Sequence, residues 1–84
     1  MAKLFDIAIV TPEKTVYEGK ISSLVAPSKL GYLGVLADHA PLIAALGPGK
    51  IILKESTTAE KVFRCSLGGM LKMFKNDATI LLDQ

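Results

Sequence analysis

Eighty-four residues, half of them hydrophobic and only 21% charged, specify one small folded domain and exclude intrinsic disorder, which needs the opposite composition. Ten basic and eight acidic residues leave a net charge of +2, with no run of three cations and no tryptophan for base stacking, so a nucleic-acid footprint is excluded. A single cysteine, Cys65, rules out an intrachain disulfide, and no apolar stretch approaches the roughly 18 residues of a membrane-spanning helix.

The first ten residues carry Lys3 and Asp6 inside an apolar stretch too short and interrupted for a signal peptide. With a lone thiol, this predicts a reducing, cytoplasmic compartment, with any membrane association made through partners. Residues 4–10 alternate, placing Phe5, Ile7 and Ile9 on one face of a strand. After Thr11-Pro12 and Gly19, residues 20–26 form a second alternating run in which Ile21, Ser23 and Val25 oppose Ser22, Leu24 and Ala26. Residues 42–46 and 51–54 flank the clearest turn, Gly47-Pro48-Gly49. Asp38 could instead cap a helix through Ala40, Leu42, Ile43 and Leu46, with Pro41 tolerated in its first turn; propensity alone does not settle the choice, and strand pairing is the favoured reading.

Farther along, residues 56–59 are polar and mark the tip between strands at 51–55 and 60–66. In the second of these, Lys61, Phe63 and Cys65 alternate with Val62, Arg64 and Ser66. Gly68-Gly69 precedes a strand at 70–74, and residues 75–77 separate it from a last strand at 78–82. Segments this short, densely punctuated by Gly, Pro and Asn, predict an all-β domain: an antiparallel β-sandwich or flattened barrel of about eight to ten short strands, with residues 1–84 as one domain. Core-forming residues are more abundant than so short a chain can bury, which leaves apolar surface for a partner.

Chemistry has little to work with. One histidine, His39, and one cysteine fall short of the three or four N/S ligands zinc takes, and adjacent Asp38 and His39 diverge on a strand. Cys65 sits in an apolar alternation, where a thiol is buried and inert. Neither Gly31-Tyr32-Leu33-Gly34 nor Gly68-Gly69 opens a helix, so both are turn or bulge glycines and not phosphate cradles. No metal, cofactor, nucleotide or catalytic site is expected. Met70-Leu71-Lys72-Met73 brings biotinyl and lipoyl carrier domains to mind, small β-sandwiches with a modified lysine on a hairpin tip. Here the turn chemistry falls at residues 75–77, which favours Lys72 as a solvated strand residue; a carrier modified on Lys72, or a generic β adaptor, is the alternative reading.

One stretch is more specific. Gly31-Tyr32-Leu33-Gly34-Val35-Leu36-Ala37-Asp38-His39-Ala40-Pro41-Leu42, followed by Leu46-Gly47-Pro48-Gly49, resembles the G-x-L-G-x-x-P-x-H-A-P-L and L-x-P-G hallmark of the epsilon subunit of F-type ATP synthases (delta in mitochondria). Thr11-Pro12-Glu13 before Val16-Tyr17-Glu18-Gly19 is similar to that family's opening hairpin. Ser66-Leu67-Gly68-Gly69-Met70-Leu71 resembles its S-G-G-x-L segment, and Ala78-Thr79-Ile80-Leu81-Leu82-Asp83 its closing strand. Ala37 departs from the usual proline, and Tyr32 stands where many relatives carry a polar or acidic residue, bringing packing and a hydroxyl in place of charge.

The resemblance implies a non-catalytic β-sandwich on the rotor's central stalk, at the cytoplasmic face of the bacterial plasma membrane. It implies binding to the gamma subunit and the ring of c subunits, with the alpha/beta catalytic head reached indirectly, so that proton passage is coupled to ATP synthesis. Carried over to this chain, the gamma side comprises Thr11, His39, Pro41, Leu42 and Ala44, and the ring side Lys29, Leu30, Gly31 and Tyr32. The family commonly continues into a helical hairpin that brakes hydrolysis. The expectation for these 84 residues is a form without that hairpin, either naturally short or a piece of a longer chain.

Overall fold

The computed structural model describes residues 3–55 and 58–84. Ser56 and Thr57, half of the expected polar tip, lie outside the described residues, as do Met1 and Ala2. The order is β1 (Phe5–Val10), β2 (Thr15–Ile21), β3 (Ser23–Ser28), β4 (Gly31–Leu36), β5 (Leu42–Leu46), β6 (Gly49–Lys54), β7 (Glu60–Cys65), β8 (Gly69–Phe74) and β9 (Asp77–Leu82). Among the described residues there is no helix, so residues 42–46 adopt the strand alternative, while residues 38–41, Asp38 and His39 included, form a turn and loop and not part of the strand.

Pairing runs β2-β1-β9-β8-β5-β3-β6-β7, with β4 on the other edge of β3. The β3–β5 link is a single residue pair, Ser28 with Leu46, so the sheet curls there into two layers, β2-β1-β9-β8-β5 and β4-β3-β6-β7. This is the curled half-barrel form of a β-sandwich. All pairs are antiparallel except β1 with β9, which run parallel.

Period-2 burial builds the core. Phe5, Ile7 and Ile9 of β1 meet Leu71 and Met73 of β8 and Ala78, Ile80 and Leu82 of β9 in one buried cluster. The second layer adds Leu24, Ala26, Val35, Ile51, Leu53 and Cys65 to the same cluster. No polar side chain is buried among the described residues, so only the backbone groups of the core need internal hydrogen bonds, and the strand ladders supply them.

Residues 20–26 are not one strand. Ile21 ends β2, Ser23 begins β3, and Ser22 forms a corner at which the chain changes layer. Within an unbroken strand Ile21 and Leu24 would face opposite ways; here both are fully buried. The corner is held by Ser22, whose amide and hydroxyl both donate to the Lys54 carbonyl, at 2.7 and 3.1 Å.

The β8–β9 hairpin closes with two left-handed residues, Lys75 (φ 48°) and Asn76 (φ 60°), between the paired Phe74 and Asp77. This is the two-residue turn whose twist matches that of the strands it joins.

Across the gap between the edge strands β2 and β7, the Tyr17 ring packs on Phe63 at 5.5 Å between centroids. Its hydroxyl donates to Glu55. That hydrogen bond, with burial and the carboxylate's charge, pushes the phenol up to about 12 from 10.0. The protonated phenol is thereby favoured in the folded chain. Its stabilisation is complete below pH 10 and is lost as pH rises through about 12. In denaturant melts, the stability gap between wild type and Tyr17→Phe should therefore narrow from pH 9 toward pH 12. A gap that stays constant would show that the Tyr17–Glu55 bond does not contribute.

Candidate partner-docking site

An exposed apolar patch lies on the outer face of the β5–β8–β9 layer. Strand β5 reads Leu-Ile-Ala-Ala-Leu; Leu42 and Leu46 turn toward the core, and Ile43 stands 71% exposed. Register places Ile43 beside Lys72 and Ala45 beside Met70, and Met70 beside Leu81. Met70, Phe74 and Leu81 are exposed with Ile43. Leaving such side chains in water forgoes about 25 cal/mol for each Å² that a partner could cover.

Two shallow cavities flank Ile43. One, about 370 Å³, is lined by Pro41, Leu42, Ile43, Lys72, Met73 and Phe74. The other, about 530 Å³, lies between residues 28–33 and residues 42–45. Both include Leu42 and Ile43, so Ile43 is the ridge between two halves of one groove.

The β3–β4 hairpin forms the far wall. Its tip, Lys29-Leu30, is tied back by the Lys29 amide, which donates to Ala45 at 3.0 Å. Ser28 Oγ accepts from the Leu30 amide at 3.2 Å. Leu30 is fully exposed. Gly31, at φ +125°, takes a backbone shape that side chains disfavour. Tyr32 is 62% exposed, yet its hydroxyl accepts from the Lys50 amide at 3.1 Å, anchoring the hairpin to β6.

At the other end of β5, residues 37–41 are shaped by Asp38, a left-handed residue (φ 65°). Its amide donates to Asn76 Oδ1 at 2.6 Å, and Asn76 Nδ2 donates back to Asp38 Oδ1 at 2.9 Å. Lys3 Nζ donates to both carboxylate oxygens, at 2.9 and 3.1 Å. The Asn76 hydrogen bond, then Lys3, lowers the Asp38 carboxyl below its ordinary 3.8. His39 is half-buried, with Nδ1 donating to the Ala40 carbonyl at 2.8 Å.

Of the residues singled out in the sequence, Pro41, Leu42 and Ala44 share the groove with Lys29, Leu30, Gly31 and Tyr32. The two expected surfaces are thus contiguous. His39 stands just before the groove, and Thr11 lies at the opposite end of the layer. Thr11 follows Val10, whose row runs through Leu81 and Met70 to Ala45; Pro41 precedes Leu42, at the Met73 end.

Sequence reasoning marked the apolar 39–46 segment as the docking stretch without singling out Ile43, and missed Met70 and Phe74. Strand β5 holds no polar residue to mark its outer side, so its parity is unreadable. In β8 a signal was present: Lys72 marks the wet face, and Met70 and Phe74 share its parity. Lys72 itself lies mid-strand between Ile43 and Thr79, away from the hairpin tip at which a carrier lysine stands. Among the described residues no helix is long and apolar enough to cross a membrane.

Residues 4–84 match the family model of the ATP synthase delta/epsilon chain β-sandwich domain. The chain belongs to that family. It is 40% identical over 82 residues to the ATP synthase epsilon chain of Chlorobaculum tepidum, covering 98% of this chain and 92% of the relative. It is 37% identical over 84 residues to the epsilon chain of Dichelobacter nodosus, covering all of this chain but 58% of that protein. Among solved structures, a chain of the Euglena gracilis mitochondrial ATP synthase (OSCP/F1/c-ring) superposes with a TM-score of 0.88 at 16% identity, over 96% of this chain and 51% of that one. A chain of the Tetrahymena thermophila central stalk and c-ring superposes at 0.77 with 18% identity, over 99% of this chain and 66% of that one. At such identities the likeness is one of fold, and the delta/epsilon β-sandwich is the fold described above.

Proposed function

We propose that this chain is the β-sandwich of an epsilon-type subunit in the central stalk of an F-type ATP synthase. It performs no bond chemistry, and it binds the gamma subunit and the ring of c subunits so that proton passage through the ring is coupled to ATP synthesis in the alpha/beta head. The observation that carries the reading is the apolar groove around Ile43, continuous with the projecting Lys29–Tyr32 tip, on a chain whose family is established.

The groove suits an obligate partner. An exposed patch of Ile43, Met70, Phe74 and Leu81, arranged around Lys72, is costly in water and becomes favourable once covered. We assign Pro41, Leu42, Ile43, Ala44, Met70 and Phe74 to gamma, with His39 at the margin. The hairpin tip, with the Lys29 charge and the fully exposed Leu30, is assigned to the polar loops of the ring. Thr11 reaches gamma only if that subunit extends along the whole layer. Close packing of two layers suits a rotor element, since dense interiors transmit strain. Membrane location follows from the partners, at the cytoplasmic face of the bacterial plasma membrane.

The test is affinity purification of the tagged chain from detergent-solubilised native membranes. Gamma and c subunits should co-purify in fixed proportion, and their absence overturns the assignment. Intact mass of the same material decides the carrier alternative, which requires a modified Lys72.

A further inference from the structure

Residues 37–41 owe their course to a side chain far away in sequence. Asp38 and Asn76, 38 positions apart, both adopt left-handed backbone conformations (φ 65° and 60°). They exchange two hydrogen bonds, amide to Oδ1 at 2.6 Å and Nδ2 to carboxylate at 2.9 Å. A single contact would leave Asp38 able to pivot; two contacts to different atoms, one on the backbone, set both its position and its rotation. His39 follows directly. Among the described residues, apart from the His39 amide to the Leu36 carbonyl at 3.3 Å, the side-chain hydrogen bonds from this segment to other parts of the fold pass through Asp38.

We propose that Asn76, acting through Asp38, is a positioning residue that presents residues 39–41 to the gamma subunit in docking geometry. This rests on the docking reading above. Asn76 sits in the tight β8–β9 turn, on the same rigid hairpin that supplies Met70 and Phe74 to the groove. The clasp therefore references the loop to the surface beside it. Without the clasp the segment must be ordered at the moment of binding, and that entropy is subtracted from the affinity.

The chemistry of the pair supplies a test that preserves the backbone. Asn and Asp both tolerate the left-handed region, so Asn76→Asp keeps the turn while removing the Nδ2 donor and setting two carboxylates against each other. The exchange Asp38→Asn with Asn76→Asp restores a donor on one side and acceptors on the other; it gives up the Lys3–Asp38 ion pair, which is exposed and contributes little. Affinity for gamma, held in its complex with alpha and beta, is measured for wild type, Asn76→Asp and the double variant, with circular dichroism confirming that each is folded. The single variant should bind about tenfold more weakly, the size of one lost charge-assisted contact, and the double variant within about twofold of wild type. Wild-type affinity in the single variant, or a double variant as weak as the single, overturns the proposal. Failure of the wild-type chain to bind gamma overturns the docking reading itself, and the wild-type arm alone reveals it.

Discussion

Replacing Ile43 by glutamate should weaken binding to the gamma subunit by about 100-fold, on the order of 3 kcal/mol, with little change in the melting of the isolated chain. The two effects separate because Ile43 is 71% exposed and lies between two open cavities. In the free chain the new carboxylate points into water and meets Lys72 as its cross-strand neighbour. In the complex the same carboxylate would be stripped of water against an apolar surface with no partner assigned to it, and burying an uncompensated charge is strongly unfavourable. Leu42→Ala should behave in the opposite sense. Leu42 is packed against the core, so its loss lowers folding stability by about 1–3 kcal/mol before it alters binding. Titration of gamma-containing complex against each variant, beside thermal melts of the chains alone, distinguishes them. Binding of Ile43→Glu at wild-type strength would mean that gamma docks elsewhere.

The largest stability effect is expected at Gly69. A Cβ there would overlap the Leu81 carbonyl oxygen and sit 3.2 Å from both Leu81 C and Leu82 Cα. All of these are backbone atoms of the paired strand β9, so no rotamer change relieves the clash. Gly69 is also flanked by Leu46 of β5 on its other side. Adding a methyl group therefore forces β8 and β9 apart at the end of the strands that carry Met70 and Leu81. Gly69→Ala should cost about 3 kcal/mol or more, which in a domain of this size lowers the melting temperature by about 15 °C. Gly34→Ala is the matched control, since a Cβ at Gly34 meets nothing within 4 Å; it should melt close to wild type. Equal melting of the two variants would refute the close strand approach at Gly69.

Much of the architecture was legible in the residues because strand ends coincide with chemical punctuation. The Gly47-Pro48 turn, the residue 75–77 turn and the Gly68-Gly69 pair each mark a boundary that the fold respects. Alternation identified Phe5, Ile7 and Ile9 as one face, and all three are buried. The Ser22 corner escaped notice because residues 20–26 alternate without a break, and nothing local marks a change of layer. Its cause is the Lys54 carbonyl, supplied by a strand about 30 residues away. The docking face was only half visible for a related reason. The motif around His39 and Pro41 stood out, but the uniformly apolar β5 gave no sign of which side of it would be wet.

By itself the sequence determined the all-β content, the turn positions, the absence of a stapling disulfide and the family, since these depend on local backbone preference, composition and motif. Its surplus of apolar residues also implied a partner surface. The tertiary structure decided where that surface lies. It joined the 28–33 hairpin to β5 through the Ser28–Leu46 pair, set the parity that turns Ile43 outward, and brought Asn76 against Asp38. Each of these depends on strand register across long separations, which is fixed by the shared packing of the buried core side chains and not by the preferences of any one segment.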